Sequence, residues 1–360
     1  MTPTHLLSLL VALSLTLSGL AACDRDKEDS AAEESTQEEP ESAERLQGSA
    51  PAGGGAVPEE FRPDYVSELE RARQWNLELP ARDDRAFEGT GNKELSAVVA
   101  EFATVEADPL ERDFFEALSS GGELPEVAVE LVDRHEENIA ELRDVLGHTS
   151  YAPRLNRSGE PTDNGPDQPT YAAARLMAAW AAQAPPETCL ERSADGLRLA
   201  FASSYGMGYL GGYKQNALAQ WAIAAATGCM NKASEQVREE AAARFAALER
   251  ARPALVEPTY FEWLVQIPRV SPIASGDSQD PELSSEDARQ AIAQRMGQFD
   301  ELRELAKTTS YTDKNDRLEA LIGGEEDGDN LVYEMDRKLY DALLEKDRVL
   351  QEELEKLADM

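Results

Sequence analysis

Histidine and cysteine are scarce in this sequence, three of each in 360 residues, and basic residues are outnumbered, 35 Lys and Arg against 70 Asp and Glu. Each shortage closes off a class of function. With a net charge of −35 and no Lys/Arg clusters, the chain lacks what neutralises a phosphate backbone, so nucleic acid is excluded as a partner. Beyond His5 only His135 and His148 remain as imidazole ligands. His135-Glu136-Glu137-Asn138-Ile139 begins like a zincin helix, but Ile139 stands where the second histidine must be, and His135 falls on an apolar stripe. There is no G-x-S-x-G elbow and no P-loop. Asp313-Lys314-Asn315 and Asp327-Gly328-Asp329-Asn330 have the flavour of calcium loops, yet neither continues to the glycine and bidentate glutamate of an EF-hand. No catalytic residue, cofactor site or metal set emerges. The balance therefore lies with a non-enzyme. The alternative is a hydrolase or ligand-binding protein whose site is assembled from scattered carboxylates and tyrosines.

What the sequence does contain begins at its start. Leu6 to Ala22 is an apolar run too short for a comfortable membrane span and ends in small residues, the shape of an export signal. Its end, Leu20-Ala21-Ala22-Cys23, resembles the lipobox of bacterial lipoproteins. That resemblance implies cleavage after residue 22, a diacylglycerol thioether on Cys23 and an acylated new amino terminus. It also implies a place in the bacterial cell envelope, anchored in the membrane by lipid and facing the periplasm. The run is preceded by His5 but by no Lys or Arg, a departure from the usual pattern, and an ordinary signal peptide with a chance cysteine is the competing reading. Asp24 resembles the signal that retains such proteins in the inner membrane. Residues 23–58 carry ten acids against Arg25, Lys27 and Arg45 and almost no large apolar side chains. Such a stretch cannot bury enough surface to offset its ordering entropy, so it is expected to be a disordered acidic tether.

The remaining roughly 300 residues exceed the usual size of one domain. Leu95, Val98, Val99, Phe102 and Val105 recur at helical spacing, as do Leu131, Val132, His135, Ile139, Leu142 and Leu146. The same period carries Leu190 to Phe201, Leu218 to Ala225 and Val237 to Leu248, the last ended by Pro253. Ser284 with Asp287 forms a capping-box start for a helix through Phe299 and Leu302. A final amphipathic segment holds Val332, Met335, Leu339, Leu343, Leu350 and Leu357. Convincing alternating strands are lacking. The expected class is all-α: antiparallel helical hairpins packed as an α-solenoid-like or bundle domain over 59–267, a linker loop at 268–283 and a C-terminal helical region at 284–360. The loops at 149–169, locally basic through Arg154 and Arg157, and at 268–283 are long for compact connections and are either binding edges or plain surface.

Between residues 204 and 215 the chain reads SYGMGYLGGYKQ, with Gly206, Gly208 and Gly211 in the G-x-G-x-x-G spacing of phosphate loops and Lys214 behind them. A dinucleotide loop needs a strand before it and an acidic residue about 20 positions on, and neither is present. Two antiparallel helices meeting here explain the glycines as a left-handed cap and a close helix approach, with Tyr205, Tyr209 and Tyr213 as packing and capping groups and Lys214 as a surface lysine. The same hairpin places Cys189 and Cys229 together, because their midpoint, residue 209, lies inside the turn. In an oxidising compartment they are expected to form a disulfide, the alternative being two separate buried thiols. Thr170 to Pro253 as a whole resembles tetratricopeptide-like arrays of Ala-rich helical hairpins. It is also similar to other exported α-helical proteins in which helices like ARLMAAWAA and LRLAFA recur. The tetratricopeptide consensus is not found at a 34-residue period, so the resemblance implies only a surface for an envelope protein or peptide partner.

Overall fold

A helix that is apolar or small on every face has to be wrapped by other helices. Residues 208–230, with glycines and alanines on all sides, make such a helix, and the architecture is arranged around it. The structure, a computed structural model, describes residues 57–82, 89–105, 112–153, 155, 168–276, 284–308, 311–323 and 331–360. The signal segment, Cys23, Arg154, Arg157 and the sequence 327–330 lie outside the described residues, as does the tether up to residue 56.

In chain order the elements are α1 (Arg62–Arg73), β1 (Leu77–Glu78), α2 (Asn92–Ala100) running into a 3-10 turn (Glu101–Thr104), α3 (Arg112–Ser120), α4 (Glu126–Arg134) and α5 (Glu136–Val145). They continue with β2 (Ser150–Tyr151), α6 (Gln168–Ala182), α7 (Pro186–Ser204), α8 (Gly208–Met230), α9 (Glu235–Ala251) and α10 (Val256–Ala274). The C-terminal helices are α11 (Ser285–Ala306), α12 (Tyr311–Gly323) and α13 (Leu331–Asp359). The expected all-α class holds. Central α8 packs against α3, α6, α7, α10 and α13, which come from both ends of the chain. In a solenoid each repeat touches only its neighbours; a helix wrapped by α13, a hundred residues away in sequence, belongs to a bundle. Residues 53–360 form one compact unit, with α11 laid on α10 and α13 on α8 and α9.

Four local features depart from the sequence pattern, each for a physical reason. The stripe from Leu131 to Leu146 breaks at His135, where φ is −112° and ψ is 17°. Arg134 closes α4 and Glu136-Glu137 open α5, so the charges suit a helix C-terminus followed at once by an N-terminus. The loop expected from residue 268 begins later, because α10 continues to Ala274 through Pro268 and Pro272. Pro268 has no N–H to give the carbonyl of Leu264. The buried hydroxyl of Tyr65 on α1 donates to that carbonyl instead, at 3.4 Å. On α13, Leu339 is exposed, whereas Tyr340, Leu343, Leu350, Leu354 and Leu357 make the buried face. That face also holds Asp347, paired with the buried Arg252 guanidinium at 2.5 Å, and Gln351, which accepts from the same arginine at 2.8 Å. A polar clamp among apolar side chains is invisible to an apolar count. Lastly, a two-residue antiparallel ladder pairs Leu77 with Tyr151 and Glu78 with Ser150. Arg198 on α7, almost wholly buried, donates to the carbonyls of Pro80, Leu146 and His148 around it. One guanidinium thereby satisfies several backbone acceptors of otherwise irregular chain.

Candidate functional site at the glycine turn

The α7–α8 hairpin carries the features singled out in the sequence. At its open end Cys189 and Cys229 are disulfide-bonded, with Cα atoms 6.3 Å apart. At its closed end, residues 205–207 connect the helices. Gly206 has φ +83° and Gly208 φ +63°, a left-handed region that costs other residues about 1–2 kcal/mol. Gly211 is barred from a side chain by packing rather than by backbone angle, since a Cβ there would lie 2.3 Å from the carbonyl oxygen of Ser204. At Gly212 a Cβ would meet Leu343 of α13 at 2.7 Å. The glycines serve backbone geometry and helix approach, as the hairpin requires.

An anion belongs at the N-terminus of a helix, where unpaired N–H groups and the helix dipole attract it. At α8 the chain supplies its own. The Glu262 carboxylate, from α10, accepts the backbone N–H of Tyr209 at 3.0 Å. Gln266, one turn further along α10, donates to its other oxygen at 2.9 Å. A phosphate and Glu262 cannot occupy the same place. Lys214 corrects the expectation of a surface lysine: it is 2% exposed, because its side of α8 is covered by neighbouring helices. Tyr205 donates to the Trp75 carbonyl at 2.7 Å, and Tyr213 to that of Leu339 at 3.1 Å. Tyr205 stands at the C-cap of α7, whereas Tyr213, within α8, bonds a carbonyl inside α13 and is a packing group only.

Under the turn lies a cavity of about 10 Å³ bordered by Gly206, Gly208, Gln215, Pro253, Glu257 and Phe261 among others. It has room for a single water molecule. Glu257, in the first turn of α10, is half-buried as a residue, but its Oε2 is enclosed and has no hydrogen-bond partner. Burial pushes its carboxyl from 4.5 up to about 7, against the opposing charge of Lys314 on α12 and hydrogen bonds from nearby backbone N–H groups. Tyr205, beside it, is raised well above the usual phenol value by burial and by the Glu257 charge. Chemically this is a carboxyl able to hold or release one proton near neutral pH, next to a space for one water.

Elsewhere, His135 sits at the α4–α5 junction with its ring 6.2 Å from that of Phe102, a packed boundary histidine. Asp313-Lys314-Asn315 falls within α12, and among the described residues no three His, Cys, Asp or Glu side chains gather as metal ligands do. Asp195 on α7 is a second enclosed carboxylate. Burial raises its pKa while Arg143 donates to its Oδ2 at 2.8 Å. Sequence reasoning found the glycines and cysteines but missed Glu257 and Glu262, which look like any other acidic residues of an acidic chain. Only their place under the turn distinguishes them. No protein-family model, no curated protein and no solved structure matches this chain.

Proposed function

We propose that the protein is a lipid-anchored envelope protein whose helical bundle is a non-enzymatic module for binding another protein in the periplasm. The observation that carries this reading is Leu20-Ala21-Ala22-Cys23 at the end of an apolar export-like run, followed at once by an acidic stretch. A lipidated Cys23 would hold the molecule at the bilayer, each buried methylene contributing about 0.8 kcal/mol, and the acidic tether would stand the bundle off an anionic surface. Asp24 favours the inner membrane. The tetratricopeptide-like character of Thr170 to Pro253 is consistent with a protein or peptide partner, though among the described residues the bundle has no open array of repeats to offer one. In place of a concave array there is a surface spot at the glycine turn. Leu210 is 61% exposed and Leu339 41%. Tyr213 lies beside them, bonded to the Leu339 backbone, with the Lys346 ammonium 5.3 Å from its ring. Apolar and tyrosine side chains ringed by charge are the composition of small protein-interface cores.

Two measurements test the proposal separately. Growth with a labelled fatty acid should mark the wild-type protein and leave Cys23→Ser unmarked; equal labelling removes the anchor. A photo-crosslinking residue placed at Leu210 in cells should capture one defined partner, and Leu339→Glu should abolish that product. Capture unchanged by Leu339→Glu would remove the docking spot.

A further inference from the structure

Lys346 on α13 is unusual in so acidic a chain because no acid holds it. Ion pairs on a helix form between positions three and four apart, and α13 uses that spacing repeatedly. Arg337 pairs with Asp341, Arg348 with Glu345 and Lys356 with Glu353. At the same spacings Lys346 has Ala342, Leu343, Val349 and Leu350, none of which can accept a hydrogen bond through its side chain. The acids beside it are spent. Asp341 and Glu345 are held by the two arginines, and Asp347 is turned inward to Arg252. On the α10 side, Glu262 accepts from the Tyr209 N–H and the Gln266 amide. Among the described residues, the partner of the Lys346 ammonium is the Tyr213 ring, 5.3 Å away, and it makes no ion pair.

The uncompensated cation adjoins the apolar spot. Leu339, Ala342 and Lys346 follow one another at spacings of three and four, which puts them on one face of α13, and all three are exposed. Tyr213 joins that face to α8 through its bond to the Leu339 carbonyl, and Leu210 lies three residues before it on the same helix. We propose that this spot takes a peptide segment in which an apolar side chain is followed closely by a carboxylate. The side chain lies against Leu210, Leu339 and Ala342, and the carboxylate accepts from Lys346. The proposal rests on the reading of the spot as a docking surface. Charge complementarity selects the occupant. A neutral apolar segment would leave the ammonium unpaired, and a second copy of the chain would bring one net charge of −35 against another.

Methyl NMR on the purified chain near pH 7 and at low salt compares N-acetyl-leucine with N-acetyl-leucinamide, which share a side chain and differ in the carboxylate. The Leu210 and Leu339 methyl shifts should respond to both compounds, and about three-fold more steeply to the acid, as an exposed ion pair allows. That excess should vanish in Lys346→Met and persist in Lys346→Arg. Equal responses in the wild type, or an excess that survives Lys346→Met, overturn the carboxylate preference. Methyls that respond to neither compound remove the docking surface and the proposal with it. In cells, the product cross-linked from position 210 should be lost in Lys346→Glu as it is in Leu339→Glu. Loss in Leu339→Glu alone keeps the docking surface and overturns the role of the carboxylate.

Discussion

At one end of the α7–α8 hairpin a disulfide joins Cys189 to Cys229; at the other, the chain turns back through Tyr205, Gly206 and Met207 with no covalent help. The two ends are secured by opposite physics. The disulfide acts largely on the unfolded chain, by removing the loop entropy of the 40 residues it spans, and it asks little of its surroundings beyond room for two sulfurs. The glycine end acts wholly in the folded state, through positive φ at two positions and side-chain exclusion at two more. It is also the end with an unpartnered carboxylate oxygen beneath it. A covalent staple tolerates neighbours, whereas a packed turn is specified by them.

The largest expected effect tests the covalent end. Replacing both cysteines by serine should lower unfolding stability by on the order of 4 kcal/mol in the chain-entropy account, read by urea denaturation. A loss well under half of that would mean that packing along α7 and α8 already holds the open end. Next comes the glycine end, where Gly211→Ala must displace the α7 carbonyl it faces and should cost about 3 kcal/mol. Stability unchanged in that variant would show that the close approach has slack.

The third effect is a pH dependence belonging to the glycine end alone. Glu257 has a folded value of about 7 against 4.5 for the ordinary group, so between those values the folded chain binds more protons than the unfolded one. The stability tied to this proton is fully present below pH 4.5 and is lost as pH rises through about 7. Discounted for the partial exposure of the residue, the loss should be about 2 kcal/mol. Asp195 shifts in the same direction, so the comparison to make is wild type against Glu257→Gln, with Asp195→Asn alongside. A pH profile that Glu257→Gln leaves intact would assign the titration to the α5–α7 side. The smallest effect is Gly206→Ala, about 1 kcal/mol from its positive φ alone. A cost equal to that of Gly211→Ala would show that packing, not backbone angle, governs both positions.

Much of the helical framework was legible because it is local. The Ser284–Asp287 capping box forms as its residues imply, and α9 ends at Ala251 just ahead of Pro253. The apolar positions of α2, α7, α9 and α11 are buried where the helical period puts them, with Val237 at the start of α9 only partly so. The candidate site was half legible. A left-handed glycine and a close helix approach could be read from the hairpin, but only the structure assigns the first to Gly206 and Gly208 and the second to Gly211 and Gly212. Glu257 and Glu262 could not be read at all, since neither differs in local sequence from acids that face solvent. Lys214 was misjudged for the same reason: a lysine four residues from a leucine that is 61% exposed looks like surface until five helices are laid around α8.

The sequence by itself determined the all-α class, the hairpin between two distant cysteines and the use of glycine at its closed end. These follow from periodicity, chain geometry and the steric limits of one residue, which act over a few positions. Tertiary structure alone decided that α10 runs through Pro268, because its freed carbonyl is met by Tyr65 from α1. It also decided that α8 is the centre of a bundle, that Glu262 fills the helix N-terminus a phosphate would need, and that Glu257 lies enclosed without a donor for Oε2. Each of these depends on which helix is laid against which. Hydrogen-bond satisfaction and desolvation are properties of the assembled neighbourhood, and no stretch of chain carries them on its own.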